Sequence, residues 1–338
     1  MKRFVIPLLC LLFLLMTAAV CSAASPSPLL IKGLVKTPLT LTMKDLEAYP
    51  HITVQLNELT KSRRFQGVFY YQGFPLRTLL DRAEIQKPGE GFQKNIDLAV
   101  SVRNREGRQV VLSWGELYYR NPGNILVAIS AQPIMPHSDC KSCHSPEFYN
   151  VWLNPLSRQI GFPKLVVASD TWSDRSIENI TEIEVLGVKP GMPSQKKEVL
   201  YSSEFQIQGP GVQSTTIRDL LSFSRQETRI KQIGEGKGYH GVLNISGASF
   251  ERVLGEFIPT ADLNSVFLVS APDGYRSLLS YGEVFLASGG ERVTIVDAVN
   301  NEPPEQDGRF IMILPDDLMA DRWVKAVELI EWIPLTRK

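Results

Sequence analysis

Four stretches of this chain recur downstream in the same order. No other feature restricts the fold as much, because self-similarity at a long offset implies two copies of one structural unit. TMKDLEAY at Thr42–Tyr49 pairs with TIRDLLSF at Thr216–Phe223, and FQGVFYYQGFPLRTLL at Phe65–Leu80 pairs with YHGVLNISGASFERVL at Tyr239–Leu254. Both pairs share an offset of 174 residues. After a small indel, VSVRNREGRQVVLSWGEL (Val100–Leu117) matches VSAPDGYRSLLSYGEV (Val269–Val284). GFPKLVVASDTWSDRSIENITEIEV (Gly161–Val185) matches GRFIMILPDDLMADRWVKAVELIEW (Gly308–Trp332). The identities fall on glycines, apolar positions and short helix starts.

Each copy reads as short strands with fewer helices. A Ser/Thr-rich cap opens a helix near Asp45–Tyr49 or Asp219–Phe223. A Gly-Val strand leads to a turn glycine, Gly73 or Gly247, and then to an amphipathic helix ending at Leu80 or Leu254. Alternating strands such as Ile96–Val102 and Val266–Ser270 follow. The expected class is α+β, with two similar lobes. The boundaries read as residues 25–186 and 198–338. Between them, GVKPGMPSQKK at 187–197 has the Pro/Gly/Lys composition of a linker.

Ahead of the first copy, Lys2 and Arg3 precede an apolar run from Phe4 to Val20 and small residues at Ser22–Ala24. That is the three-part pattern of a secretory signal peptide, expected to be removed at about residue 24. Ser-Pro-Ser-Pro follows it rather than a basic stop-transfer cluster, so a retained membrane anchor is the weaker reading, and no membrane span is expected after cleavage. Losing two positive charges takes the formal charge from +0 to −2. A near-neutral exported chain has no electrostatic footprint for nucleic acid. The expected compartment is periplasmic or otherwise extracytoplasmic. Cleavage also removes Cys10 and Cys21, leaving Cys140 and Cys143 alone.

The repeated blocks resemble the sulfite-oxidase-type molybdopterin-binding oxidoreductase domain, taken twice in tandem. DGYRSLLSYGE at Asp273–Glu283 and ILPDDLMADRWVKAVELIEW at Ile313–Trp332 carry the resemblance best. It implies two molybdopterin-domain-like lobes. In the family a cysteine thiolate between the first helix and the Gly-Val strand holds the molybdenum. Here HITVQLNELTKSRRF (His51–Phe65) and RQETRIKQIGEGKGY (Arg225–Tyr239) contain no cysteine, and Asn57 or Thr60 is no substitute for a soft thiolate. A bound molybdopterin is therefore not expected. Arg63, Arg64 and Lys164 remain candidates for pterin or anion contacts, against the plainer reading of solvated loop charges.

One motif belongs to neither copy of the repeat. Cys140-Lys141-Ser142-Cys143-His144 has the spacing of c-type haem attachment. Two thiols two residues apart can form thioethers with one haem edge, and the adjacent histidine reaches the iron from one face. The motif lies in an insert of the first lobe, at about 130–160. A CxxC disulfide remains open, as does a zinc site using His137, Cys140, Cys143 and His144. Both are disfavoured: no thioredoxin-like pattern surrounds the cysteines, and the spacings fit zinc fingers poorly. For the second axial position the order of candidates is His137, Met135 and His51, with an open iron as a further option.

The leading expectation is an exported monohaem c-type cytochrome on a degenerate molybdopterin-oxidoreductase scaffold. It would pass single electrons to an extracytoplasmic redox protein or membrane redox complex. The alternatives are a molybdopterin-dependent oxidoreductase acting on a small oxyanion or sulfoxide-like substrate, and a haem-based sensor or protein-binding module.

Overall fold

Continuous apolar runs such as LAVSV and VFLVS favour strands buried on both faces, and sheets dominate the architecture. A computed structural model describes residues 27–89, 91–134, 157–191, 200–234, 238–304 and 308–336. The first half contains β1 (Leu29–Gly33), β2 (Leu39–Leu41), α1 (Met43–Glu47), β3 (Ile52–Leu59), β4 (Phe65–Pro75), α2 (Leu76–Ala83), β5 (Leu98–Asn104) and β6 (Gln109–Ser113). It continues with α3 (Trp114–Tyr118), β7 (Ile125–Pro133), β8 (Lys164–Val167) and β9 (Ile180–Gly187). The second half contains β10 (Phe205–Gly209), β11 (Val212–Ile217), β12 (Arg225–Gly234), β13 (Gly238–Ser249), α4 (Phe250–Phe257) and β14 (Ser265–Ser270). There follow β15 (Arg276–Ser280), α5 (Tyr281–Phe285), β16 (Thr294–Val299), β17 (Ile311–Ile313) and β18 (Leu329–Pro334).

The α+β expectation gives way to a mainly β fold. Among the described residues the longest helices, α2 and α4, have eight residues each. They link strands rather than form a layer of their own. No helix among these residues is long and apolar enough to cross a membrane.

The strand order is the same in both halves. Five-stranded sheets run β2-β1-β9-β5-β6 and β11-β10-β18-β14-β15, and four-stranded sheets run β3-β4-β7-β8 and β12-β13-β16-β17. In each five-stranded sheet one pair is parallel, β1 with β9 and β10 with β18. Even the irregularities correspond. A bulge interrupts β3 between Glu58 and Leu59 and β12 between Gln232 and Ile233. A second interrupts β4 at Gln72/Gly73 and β13 at Ser246/Gly247.

Two local expectations change. Gly73 and Gly247 lie inside strands at these bulges, not in turns. There the neighbouring strand comes so close that a Cβ would sit 2.1 Å from the Val127 carbonyl oxygen, or 2.0 Å from that of Ile295. The helix expected near Asp45 forms as α1, capped by Thr42 and Asp45 in a reciprocal box. Its counterpart near Asp219 does not form: Thr216 belongs to β11, and the Asp219 carboxylate instead accepts the Leu221 amide in a tight turn.

Each half has its own apolar core, one around Leu79, Leu80, Val100 and Val102 and the other around Phe250, Leu254, Phe267 and Val269. A smaller cluster joins the halves. Ala99, Val111 and Val188 pack with Val266, Leu268 and Leu278, so β5 and β14 bury their second faces against each other's half. Val188, at the start of the expected linker, is therefore core; residues 192–197 of it lie outside the described residues.

Candidate functional site

Cys140, Cys143, His144, His137 and Met135 all lie outside the described residues. The two ends of their segment are described. On entry, the Ile134 amide donates to the Val68 carbonyl at 2.8 Å. On exit, Arg158 donates from Nε to the Gln66 carbonyl at 3.1 Å, from Nη1 to Glu178 at 2.5 Å, and from Nη2 to Glu58. Both ends are thus tied to the β3–β4 region. The connection from β7 to β8 spans residues 134–163, whereas its counterpart from β16 to β17 spans only 300–310.

Arg158 completes a buried charge cluster. Lys164, at the start of β8, is 1% exposed, and its ammonium faces Glu58 at 2.5 Å, the Tyr71 hydroxyl at 3.0 Å and Glu178 at 3.3 Å. Those three partners use all three of its hydrogens. Glu58 is 2% exposed and also accepts from Tyr71. Burial and the neighbouring Glu58 carboxylate push the Tyr71 phenol well above its ordinary range, so it stays a donor. Burial alone would raise Glu178, but the Gly161 amide, Lys164 and Arg158 together hold it below the usual range.

Lys164 therefore does not present its charge to an external anion. Arg63 and Arg64 sit far from it in character, on the exposed hairpin between β3 and β4. The turn is closed by backbone bonds between Thr60 and both Arg63 and Arg64, and Arg63 takes a left-handed φ of 65°. The Lys61 amide of this hairpin is held 2.8 Å from an Asp174 carboxylate oxygen.

A second polar cluster lies between the halves. Ser113 and Ser280 cap α3 and α5, accepting the Glu116 and Glu283 amides at 3.0 and 3.1 Å. Each hydroxyl donates across to the other half: Ser113 to Glu283 at 2.8 Å and Ser280 to Glu116 at 2.6 Å. Arg175 and Arg322, both 0% exposed, close the arrangement. Arg175 pairs through two nitrogens with Asp170, at 2.8 and 2.7 Å, and reaches Glu116 at 2.7 Å. Arg322 pairs likewise with Asp317, at 2.6 and 2.7 Å, and reaches Glu283 at 2.6 Å. Each guanidinium lies on a glycine of the opposite half: a Cβ on Gly115 would be 2.3 Å from Arg322 Cδ, and one on Gly282 would be 2.2 Å from Arg175 Cδ.

Two backbone bonds repeat the pattern, Thr171 to Leu286 at 2.8 Å and Leu318 to Tyr119 at 2.7 Å. The pseudo-symmetry breaks at Arg120, which stands where the second half has Ala287. Arg120 approaches Glu283 at 3.3 Å and Asp317 at 3.5 Å. Burial would raise Glu283, yet Arg322 and Arg120 hold its carboxyl down at about 2.

Sequence reasoning passed over Glu58, Glu178 and the two Asp–Arg pairs. The signal was present: Asp170 and Arg175 recur as Asp317 and Arg322, five residues apart within the aligned final blocks. Among the described residues no group of three or more His, Cys, Asp or Glu side chains is placed to hold a metal ion.

No family model and no curated protein matches the chain. Among solved structures it is similar to the sulfane dehydrogenase SoxCD from Paracoccus pantotrophus, at 11% sequence identity and a TM-score of 0.35. The match covers 93% of this chain and 79% of that one. So loose a likeness assigns no residue and no activity.

Proposed function

We propose that the chain is an exported monohaem c-type cytochrome that passes single electrons between extracytoplasmic redox partners, on a scaffold of two molybdopterin-domain-like lobes. The observation that carries this reading is Cys140-Lys141-Ser142-Cys143-His144, the last two cysteines of a chain with a signal-peptide-like start. Its donor set suits a haem. Two thiols at this spacing add across two vinyl groups, each S–H hydrogen passing to a vinyl carbon, and His144 follows as the proximal ligand. When bound, the haem supplies a reversible one-electron couple.

The protein's own part is to hold that segment in place. Ile134 and Arg158 tie its two ends to the first half, and the second half has only a short connection at the equivalent point. Covalent attachment suits a carrier outside the cytoplasm, where a dissociated cofactor would be lost by dilution. His137 or Met135 would serve as the distal ligand.

A molybdopterin-type oxidoreductase is the competing reading, and it rests on the resemblance of the repeated blocks. The donor set does not fit that cofactor. No cysteine stands in β3, β12 or the hairpins that follow them, and where Glu58, Lys164 and Arg158 meet, the interior is filled by paired charges.

Iron, molybdenum and zinc per chain, measured by elemental mass spectrometry, decide between them. The full chain would be made in a host with both cytochrome c maturation and molybdenum cofactor synthesis. One iron and no molybdenum is the expected result. Stoichiometric molybdenum would make the protein a molybdoenzyme, and zinc or no metal would refute the haem.

A further inference from the structure

Strand β3 ends its sheet on one side, as its counterpart β12 does in the second half. An edge strand leaves a row of backbone N–H and C=O groups without a neighbour, so it is a template for another strand unless something guards it. Among the described residues no backbone hydrogen bond outside β4 reaches residues 52–57. The free stretch stops just beyond the strand, where the Lys61 amide is bonded to Asp174.

The two edges are guarded differently. The shared bulge aligns β3 with β12 at the same offset of 174 residues that relates the repeated blocks. On the outward face Thr53, Gln55 and Asn57 then stand where β12 has Glu227, Arg229 and Lys231, and all of these are exposed. Arg225 adds a further charge to β12, paired with Asp297 at 2.7 Å. Charged side chains along an edge resist the approach of another strand. Residues 52–57 of β3 include none. The charge-free surface continues across the sheet, where Gln55, Tyr70 and Gln132 lie in one row and Thr53, Gln72 and Ser130 in the next.

The strand that fits this edge is β3 itself. Paired antiparallel with a second copy about Gln55, it overlaps from Ile52 to Glu58 and every residue keeps its face. Val54 then meets Leu56 of the second copy on the core side, apolar against apolar. On the solvent side Thr53 meets Asn57 and Gln55 meets Gln55, so no like charges are opposed. Moving the centre to Leu56 would set Val54 against the buried Glu58 instead. The same operation on β12 would set Arg229 against Arg229. We propose that the protein self-associates through β3, edge to edge across a two-fold axis, so that the four-stranded sheets of two copies join into one. The contact is independent of the haem reading and of its failure.

The test is sedimentation equilibrium of the full chain at micromolar concentrations, with a thermal melt of each variant to confirm that it folds. A reversible monomer–dimer equilibrium is expected. Gln55→Lys and Gln55→Glu each place two like charges opposite one another, and each should raise the dimer dissociation constant at least about tenfold. Mixed in equal amounts, the two variants should pair with each other and recover the native dimer, which a merely misfolded variant would not do. A monomer at every concentration would overturn the assignment. So would a dimer insensitive to both Gln55 variants, or an equimolar mixture that dimerises no better than either variant alone.

Discussion

Ser113 Oγ lies 2.8 Å from Glu283 Oε2, so the residue that caps a helix in one half also bonds the glutamate of the matching helix in the other. Ser280 and Glu116 repeat the contact in reverse at 2.6 Å. The S-aromatic-G-E motif thus has two tasks. Its serine and glutamate start a short helix, and together with the glycine they build the contact between halves. Because each hydroxyl accepts from its own helix and donates across, the two halves hold each other's caps in place.

Arg322→Ala removes the cation that Asp317 and Glu283 share in the interior. Taking one partner from a buried ion pair leaves uncompensated charge, at a cost of about 3–5 kcal/mol. Chemical denaturation should show that loss. Arg175→Ala should cost a similar amount, because Arg175 has the same pair of carboxylate partners in Asp170 and Glu116. A loss within experimental error for either would mean that the clusters are not the joint between halves.

Gly282→Ala places a methyl group 2.2 Å from Arg175 Cδ. The guanidinium must move off Asp170 or the halves must separate, so a destabilisation of at least ~1–3 kcal/mol is expected. Gly115→Ala should behave alike against Arg322. Neither glycine has a left-handed φ, so thermal melts of both variants beside Gly89→Ala, which meets nothing within 4 Å and has no left-handed φ either, isolate the steric effect.

Acid should loosen the joint through Glu283. Its carboxyl titrates near 4.5 when free and about 2 in the fold. A depressed folded value means that the ionised form stabilises the native state. That contribution is complete above pH 4.5 and is lost as the pH falls toward 2. Denaturation midpoints measured across this window should fall more steeply for the native chain than for Glu283→Gln, whose amide does not titrate. Parallel curves would show that Glu283 does not carry the effect.

Lys164→Ala and the double variant Arg63→Ala, Arg64→Ala should separate cleanly. Without its ammonium, Glu58 keeps Arg158 but loses a buried partner, so a loss of about 3–5 kcal/mol is expected for Lys164. The exposed hairpin arginines should change stability by no more than about 0.5 kcal/mol each. If the hairpin variant instead lost an iron or molybdenum stoichiometry, the arginines would be cofactor contacts after all.

Cys140→Ser with Cys143→Ser should abolish haem that survives a denaturing gel, while the same gel on the native chain should retain the stain. Iron retained covalently in the double variant would exclude the thioether attachment.

The repeat was legible because both halves had to keep what their backbones require. Gly73 and Gly247 recur since a side chain there would strike the next strand, and the S-aromatic-G-E stretches recur since they start the same short helix. The balance of helix and strand was less legible. TIRDLLSF resembles TMKDLEAY in pattern, but Thr216 is taken by sheet pairing before it can cap a helix, and tertiary contacts overrode the local signal. The Cys140-Lys141-Ser142-Cys143-His144 stretch was visible as spacing alone, and its residues lie outside those the structure describes.

By itself the sequence determined the two-copy organisation, the recurrence of Gly73 and Gly247 and the spacing of Cys140, Cys143 and His144, because each depends on residues close together or repeated at a constant offset. Only the tertiary structure decided that Lys164 faces inward, that Arg158 bridges Glu58 and Glu178, and that Arg175 and Arg322 rest on the glycines Gly282 and Gly115 of opposite halves. Those relationships join residues more than a hundred positions apart or depend on which side of a strand faces the interior. Burial, not sequence spacing, sets what a charge there can bind.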